Sequence, residues 1–432
     1  MISMSDYDIV IIGAGVFGLS TAYYIKSQHP EKKILVLDKQ GGPGQGNSAK
    51  SACAFRNVFA SETNYLLSNS TIDFFKHIHN DLNYDLGLRF TGYLWLLNNE
   101  QYNDQKTVFQ KMHQRGVQLK TFEKEDLNKS FKGLSTDFKD QDEEAQLLGL
   151  KTIDKGLQGL KCGSIDGDRL VRFYEEQYRK LGGETRYNTE VTMLTLKPRI
   201  ELGLPGEPFV WQDASIQGVE TLKGDQIGAE KTIVAAGAWA STLLNPVGLD
   251  SFMNPKKRQI FVFKDERLKD LFSAHGFNNE RVIPFTILPR GGIYLKPEIS
   301  EQSVWIGCAD NLGRAFLYED DPKPELSYYT GNLYYILSKY LPCFTDLQPV
   351  NMWAGSYALN SIDKVPYVFE EAGMIYVGAD SGSGLMKCDA IGRIAAALYS
   401  NEKQALLYKG ESFRVSDLSV KNRNIEKETM VI

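Results

Sequence analysis

The first forty residues constrain this chain more than anything after them. Asp8-Ile9-Val10-Ile11-Ile12 is a short β-branched apolar run, the pattern of a strand covered on both faces. It leads straight into Gly13-Ala14-Gly15-Val16-Phe17-Gly18 and then into Leu19–Lys26, which has helical spacing. A second apolar run, Ile34–Leu37, ends at Asp38, 20 residues beyond Gly18. Strand, glycine turn, helix, strand and terminal acid in this order predict a βαβ unit that binds a dinucleotide. Gly13 permits the tight turn, Gly15 lets the backbone approach a pyrophosphate, and Gly18 lets helix and strand pack closely. The helix start at Val16 and Phe17 offers unpaired N–H groups and a positive dipole end to the phosphates. Asp38, with Lys39 beside it, is placed to accept hydrogen bonds from the adenosine ribose. The fingerprint does not separate NAD from FAD; its place near the start of the chain leans towards FAD.

Further motifs follow. The glycine-rich stretch 41–46 continues into Asn47-Ser48-Ala49-Lys50-Ser51, backbone free enough to wrap a pyrophosphate or a ring edge. A mobile surface loop is the plainer alternative. Thr232-Ile233-Val234-Ala235-Ala236-Gly237-Ala238-Trp239 is a strand ending in small residues. Pro255-Lys256-Lys257-Arg258-Gln259 comes next, and Met374–Gly378 runs into Ala379-Asp380-Ser381-Gly382-Ser383-Gly384-Leu385-Met386.

In this order the motifs resemble the D-amino acid oxidase/sarcosine oxidase superfamily of FAD enzymes, over Asp8 to about Leu398. The resemblance implies an α/β fold, α+β overall: a discontinuous Rossmann-type FAD-binding domain with an inserted antiparallel-sheet substrate domain. Residues 1–89, 163–244 and 353–432 are assigned to the first, and 90–162 and 245–352 to the second. It further implies FAD contacts at Ser48, Ala49, Lys50, Ser51, Val191, Ala236, Gly237, Trp239, Gly382, Ser383, Gly384, Leu385 and Met386.

The resemblance also implies a chemistry, hydride removal from a carbon bearing an amine onto flavin N5. Arg56 falls where sarcosine-oxidase-like members place a carboxylate-binding arginine, and a guanidinium can grip a carboxylate bidentately. An ion pair with an acid such as Glu62 is the plainer reading. The second family cation aligns with Met386, so Lys387, one step on, is a candidate to assist. Tyr294 and Tyr357 are candidates for the pocket wall or for orienting the amine, with core packing as the alternative. No cysteine occupies the family's flavin-linking position before Tyr357, so FAD is expected to be bound non-covalently. Trp305 aligns with a lysine that activates oxygen in the oxidases, and an indole cannot stabilise superoxide. A dehydrogenase acting on an amino acid or secondary amine, sarcosine- or proline-like, is therefore expected, with an unspecified electron acceptor. The alternatives are a peroxide-producing oxidase, an FAD hydroxy-acid or glycerol-phosphate dehydrogenase, or a flavin-bearing electron-transfer subunit.

Composition narrows the setting. The formal net charge of −5 argues against nucleic acid as a partner, and no apolar run approaches a membrane span. The five cysteines are odd in number and widely spaced, which suits reduced thiols, no metal site and a cytoplasmic protein. The five histidines lie outside the motifs, so a histidine base is not expected. The polar segment after Ser416 reads as peripheral.

Overall fold

The computed structural model describes residues 6–309 and 315–430. Two eight-stranded sheets organise them. In the first, β1 (Tyr7–Ile12) lies parallel between β2 (Ile34–Leu37) and the strand Gln226–Val234. Glu184–Arg186 continues the parallel order beyond β2, and Met374–Gly378 continues it beyond Gln226–Val234. The β-branched runs become these inner strands because both of their faces are covered; Ile9, Val10 and Ile11 have no exposed surface. Helix α1 (Val16–Gln28) packs on the helices Gly167–Lys180 and Cys388–Tyr399. Gly392 lets the last of these approach closely, since a Cβ there would lie 2.8 Å from the Ser20 carbonyl carbon.

The second sheet runs from Asn351–Leu359 through Asn254–Phe263, Ser303–Cys308, Ile293–Glu298, Phe285–Ile287, Tyr93–Leu97 and Lys155–Gly159 to Leu119–Glu123. Its pairs are antiparallel except Phe285–Ile287 with Tyr93–Leu97. Alternation along Tyr93–Leu97 separates its faces. Leu94 and Leu96 join a core with Phe261, Ile306 and Leu337. Tyr93 and Trp95 join another with Phe285, Tyr294, Ala54 and Val58. This second face meets the segment that follows the glycine-rich loop. The chain therefore has the mixed α/β architecture that the motif order implies.

Val191–Pro198 forms an antiparallel hairpin with Ala214–Thr221, and the strand beside β2 is Glu184–Arg186. Two details differ from the sequence reading. Asn351–Leu359 pairs along nearly its whole length with Asn254–Phe263, which carries the second sheet past the boundary drawn at 352. The segment after Ser416 is not peripheral. Arg423 donates to both carboxylate oxygens of Asp363 (2.7 and 2.8 Å), and Glu428 and Met430 are buried. In a run this polar, hydropathy gives no sign of specific ionic anchoring.

Candidate active site

The carboxyl ends of β1, β2 and Gln226–Val234 open into a cavity of about 250 Å³, where open parallel sheets bind ligands. Gly13 sits at φ +107°, and a Cβ there would lie 2.5 Å from the Ala235 carbonyl oxygen. At Gly18 a Cβ would lie 1.8 Å from the Gly13 oxygen, so helix–strand packing excludes one. The Asp38 carboxylate accepts from the N–H groups of Ala14 (2.6 Å) and Gln40 (2.8 Å) while also lining the cavity. Burial raises its pKa above the usual range, and the two N–H donors oppose the shift. Ser48 Oγ accepts from the Val16 N–H at 3.2 Å, tying the glycine-rich loop to the start of α1.

Among the expected cofactor residues, Gly13, Gly15, Val16, Phe17, Asp38, Lys39, Ser48, Ser51 and Val191 line this cavity. Ala236, Gly237, Trp239, Gly382, Gly384 and Leu385 line it as well. Gly18, Ala49, Lys50, Ser383 and Met386 do not. Gly18 serves packing, Ala49 N–H closes a turn on the Gly44 carbonyl, and Ser383 bonds to Ser381 and Asp380. Met386 turns away, its Sδ accepting from the Arg56 N–H at 3.3 Å. Asn47, Tyr318 and Asp380 line the cavity without having been singled out from sequence. Asn47 bridges the loop to the second sheet through the Ser356 N–H (2.8 Å). Asp320, near Tyr318, accepts from Trp239 Nε1 (2.7 Å) and from Lys39 (2.5 Å), holding a long connection against the cavity rim.

A second, small cavity adjoins the first. Asn47, Lys50, Arg258, Ile260, Tyr294, Gly355 and Tyr357 line it, and Tyr357 borders both cavities. The Arg258 guanidinium lies 5.6 Å from the centre of the Tyr357 ring. Burial pushes both phenols above their ordinary pKa. Lys50, read as a cofactor contact, thus belongs to this neighbouring cavity. Arg258 was visible only as part of a motif, because its placement depends on strand register.

Arg56 and Lys387 are buried and line neither of these two cavities. Arg56 is 3% exposed, and its guanidinium donates to the main-chain carbonyls of Val58 and Met430, the latter at 2.8 Å. It lies 4.0 Å from the Phe59 ring, and Glu62 is not its partner; Glu428 supplies the attraction that opposes its desolvation. Lys387 is fully buried, with Nζ 2.7 Å from Asp380 Oδ1. Burial lowers its pKa, against the pull of Asp380. Lys387 therefore neutralises an acid that borders the cofactor cavity. Lys387→Met leaves Asp380 buried without its cation and is expected to cost about 3–5 kcal/mol, read by urea denaturation.

Trp305 lies on Ser303–Cys308 and lines neither cavity, and a cation stands beside it. Lys296, its register partner on the neighbouring strand, places Nζ 4.0 Å from the indole ring centre and 3.0 Å from Glu298. The local charge is thus paired. None of the described cysteines lines the main cavity. Among the described residues no group of three or more His, Cys, Asp or Glu could hold a metal, and no helix is long and apolar enough to cross a membrane.

A glycine turn that admits no Cβ, an acid at the end of β2, and two loops closing on one cavity make a fitting cradle for a flavin dinucleotide. The sequence signature of the DAO family, described as FAD dependent oxidoreductase, matches residues 8–398. The chain belongs to this family, and FAD is its cofactor. It is 21% identical over 413 residues to FAD-dependent oxidoreductase domain-containing protein 1 of Xenopus laevis, covering 90% of this chain and 78% of that one. It is 24% identical over 232 residues to sarcosine oxidase subunit beta of Rhodobacter capsulatus, covering 54% and 50% respectively. Among solved structures, L-proline dehydrogenase from P. horikoshii superposes with a TM-score of 0.71 at 20% identity, covering 92% of this chain and 94% of that one. Glycine oxidase from Geobacillus kaustophilus superposes with a TM-score of 0.72 at 16% identity, covering 96% and 98%. At these identities the structural likeness establishes the fold.

Proposed function

We propose that the chain oxidises the C–N bond of an amino acid or secondary amine that carries a carboxylate, and that it works as a dehydrogenase. The observation that carries this reading is the small cavity beside the cofactor site, where Lys50 and Arg258 face Tyr294 and Tyr357. A guanidinium and two phenols suit a small anionic substrate, and relatives named for sarcosine, glycine and proline support the amine. Non-covalently held FAD supplies the two-electron acceptor. The chain's own residues bind and orient. Tyr294 and Tyr357 wall the amine end, Arg258 borders it while bonded to the Lys257 and Ala309 carbonyls, Lys50 is ion-paired with Asp321 (3.5 Å), and Arg56 is the carboxylate anchor once its main-chain cap moves.

The dehydrogenase reading rests on Trp305, because the nearby Lys296 charge is already paired with Glu298. An uncompensated cation would favour oxygen reduction. Reoxidation of the reduced protein by air is expected to be slow beside reoxidation by an artificial dye. Stopped-flow spectroscopy checks this, and oxygen reoxidation as fast as turnover would establish an oxidase. Anaerobic addition of amino acids and N-methyl amines, with the flavin band monitored, tests the substrate class.

A further inference from the structure

The segment 424–430 is anchored to Asp363, to the 60–64 stretch and to Arg56 in a manner that its composition does not suggest. Its exposure alternates, with Glu428 and Met430 buried while Lys427 and Thr429 are exposed. Two inward pegs in an extended segment result. The Glu428 carboxylate accepts from Ala60 N–H (2.9 Å), Ser61 N–H (3.1 Å), Ser61 Oγ (2.9 Å) and Asn64 Nδ2 (3.2 Å). Met430 enters the apolar cluster that holds Tyr93, Trp95, Phe285 and Tyr294, and its carbonyl accepts from Arg56 Nη2 at 2.8 Å. Asp363 fixes the near end, through Arg423 and through the Glu428 N–H.

We propose that this segment is a strap which holds the substrate side closed, and that a carboxylate-bearing ligand opens it by replacing the Met430 carbonyl on Arg56. The inference rests on Arg56 being the carboxylate anchor. Three features lead to it. The second cavity encloses about 10 Å³, the space of one water and too little for an amino acid. One wall is a hydrogen-bonded sheet, whereas the strap carries no ladder and meets the wall cluster through one methionine side chain. A buried guanidinium requires an acceptor, and a neutral carbonyl is a weaker one than the carboxylate that would displace it. The aromatic stack Tyr93–Phe285–Tyr294, with centroid spacings of 4.1 and 4.9 Å, is continuous from the Met430 cluster to the cavity. Withdrawal of the methionine therefore removes a side chain from the cluster that includes the cavity wall residue Tyr294.

The test uses the FAD-loaded full chain and propionate as the probe, with propionamide as the neutral control. Hydrogen exchange of the amides at 428 and 430 is expected to rise with saturating propionate and to stay unchanged with propionamide. Glu428→Ala, which removes the first peg, is expected to tighten propionate binding about tenfold, read from perturbation of the flavin spectrum. Unchanged exchange in the presence of bound propionate overturns the strap and leaves the Arg56 anchor standing. A tighter Glu428→Ala variant without the exchange change means only that a negative charge was removed, and it too overturns the strap. If propionate binds neither protein, the anchor fails and the strap with it. Should Glu428→Ala not retain flavin, the wild-type exchange experiment decides alone. All of these readouts are of binding, so the absence of amine turnover would not affect the outcome.

Discussion

Gly13→Ala is expected to yield a protein that purifies without its flavin. The substitution places a Cβ at 2.5 Å from the Ala235 oxygen, in a backbone conformation with φ +107° that L side chains rarely adopt. Neither neighbour can yield cheaply. Gly13 N–H is bonded to the Leu37 carbonyl and Ala235 N–H to that of Ile12, so both belong to the strand ends that shape the cavity. Strain and overlap together cost about 3 kcal/mol or more, roughly a hundredfold or greater loss of FAD affinity if the turn opens to relieve them. The ratio of flavin to protein absorbance measures it. Gly15→Ala is the informative companion. Its Cβ would meet only Ser48 Oγ, at 3.5 Å, so the apoprotein is expected to keep its stability while the FAD pyrophosphate loses its approach. A Gly13→Ala protein with a full complement of flavin would mean that the turn is not the cofactor's cradle.

Arg56→Met is expected to lower kcat/KM for a carboxylate-bearing amine by about 2–5 kcal/mol, some thirtyfold to several thousandfold. The loss falls mainly in KM, because the guanidinium is assigned to hold the substrate and not to touch the reacting carbon. Arg56→Lys recovers part of it, since an ammonium restores the charge but not the planar fork. FAD content is expected to remain unchanged, because Arg56 lies outside the cofactor cavity. Buried Glu428 loses its countercharge in the same variant, so thermal stability needs to be followed in parallel. An equal loss for an amine without a carboxylate would contradict the anchor and leave Arg56 as a structural group.

What was legible in the sequence was local. The glycine turn, the acid at the end of β2 and the small-residue loop at 382–385 each carry their geometry within a few residues, and the cavity forms from them. What was not legible depended on partners distant in the chain. Arg56 reads as a carboxylate-binding cation, and its cap is a carbonyl 374 residues away. Lys387 looked like a possible substrate cation, yet the buried acid seven residues before it takes the charge. The pairing of Lys296 with Trp305 needs strand register, which periodicity alone does not supply. Glu428 and Met430 occur in a polar run whose two buried positions are set by Asp363, Ser61 and Arg56, residues that no local pattern links to it.

This FAD protein is proposed to take electrons from a carboxylate-bearing amine. An anaerobic titration of the purified holoprotein with sarcosine, L-proline, glycine and related N-methyl amino acids tests it most directly. At least one of them is expected to bleach the visible flavin band stoichiometrically, with the imine's hydrolysis product released. The Arg56→Met protein, still yellow, is expected to need far more of the same compound. A band that no amine bleaches, or that only hydroxy acids bleach, would contradict it.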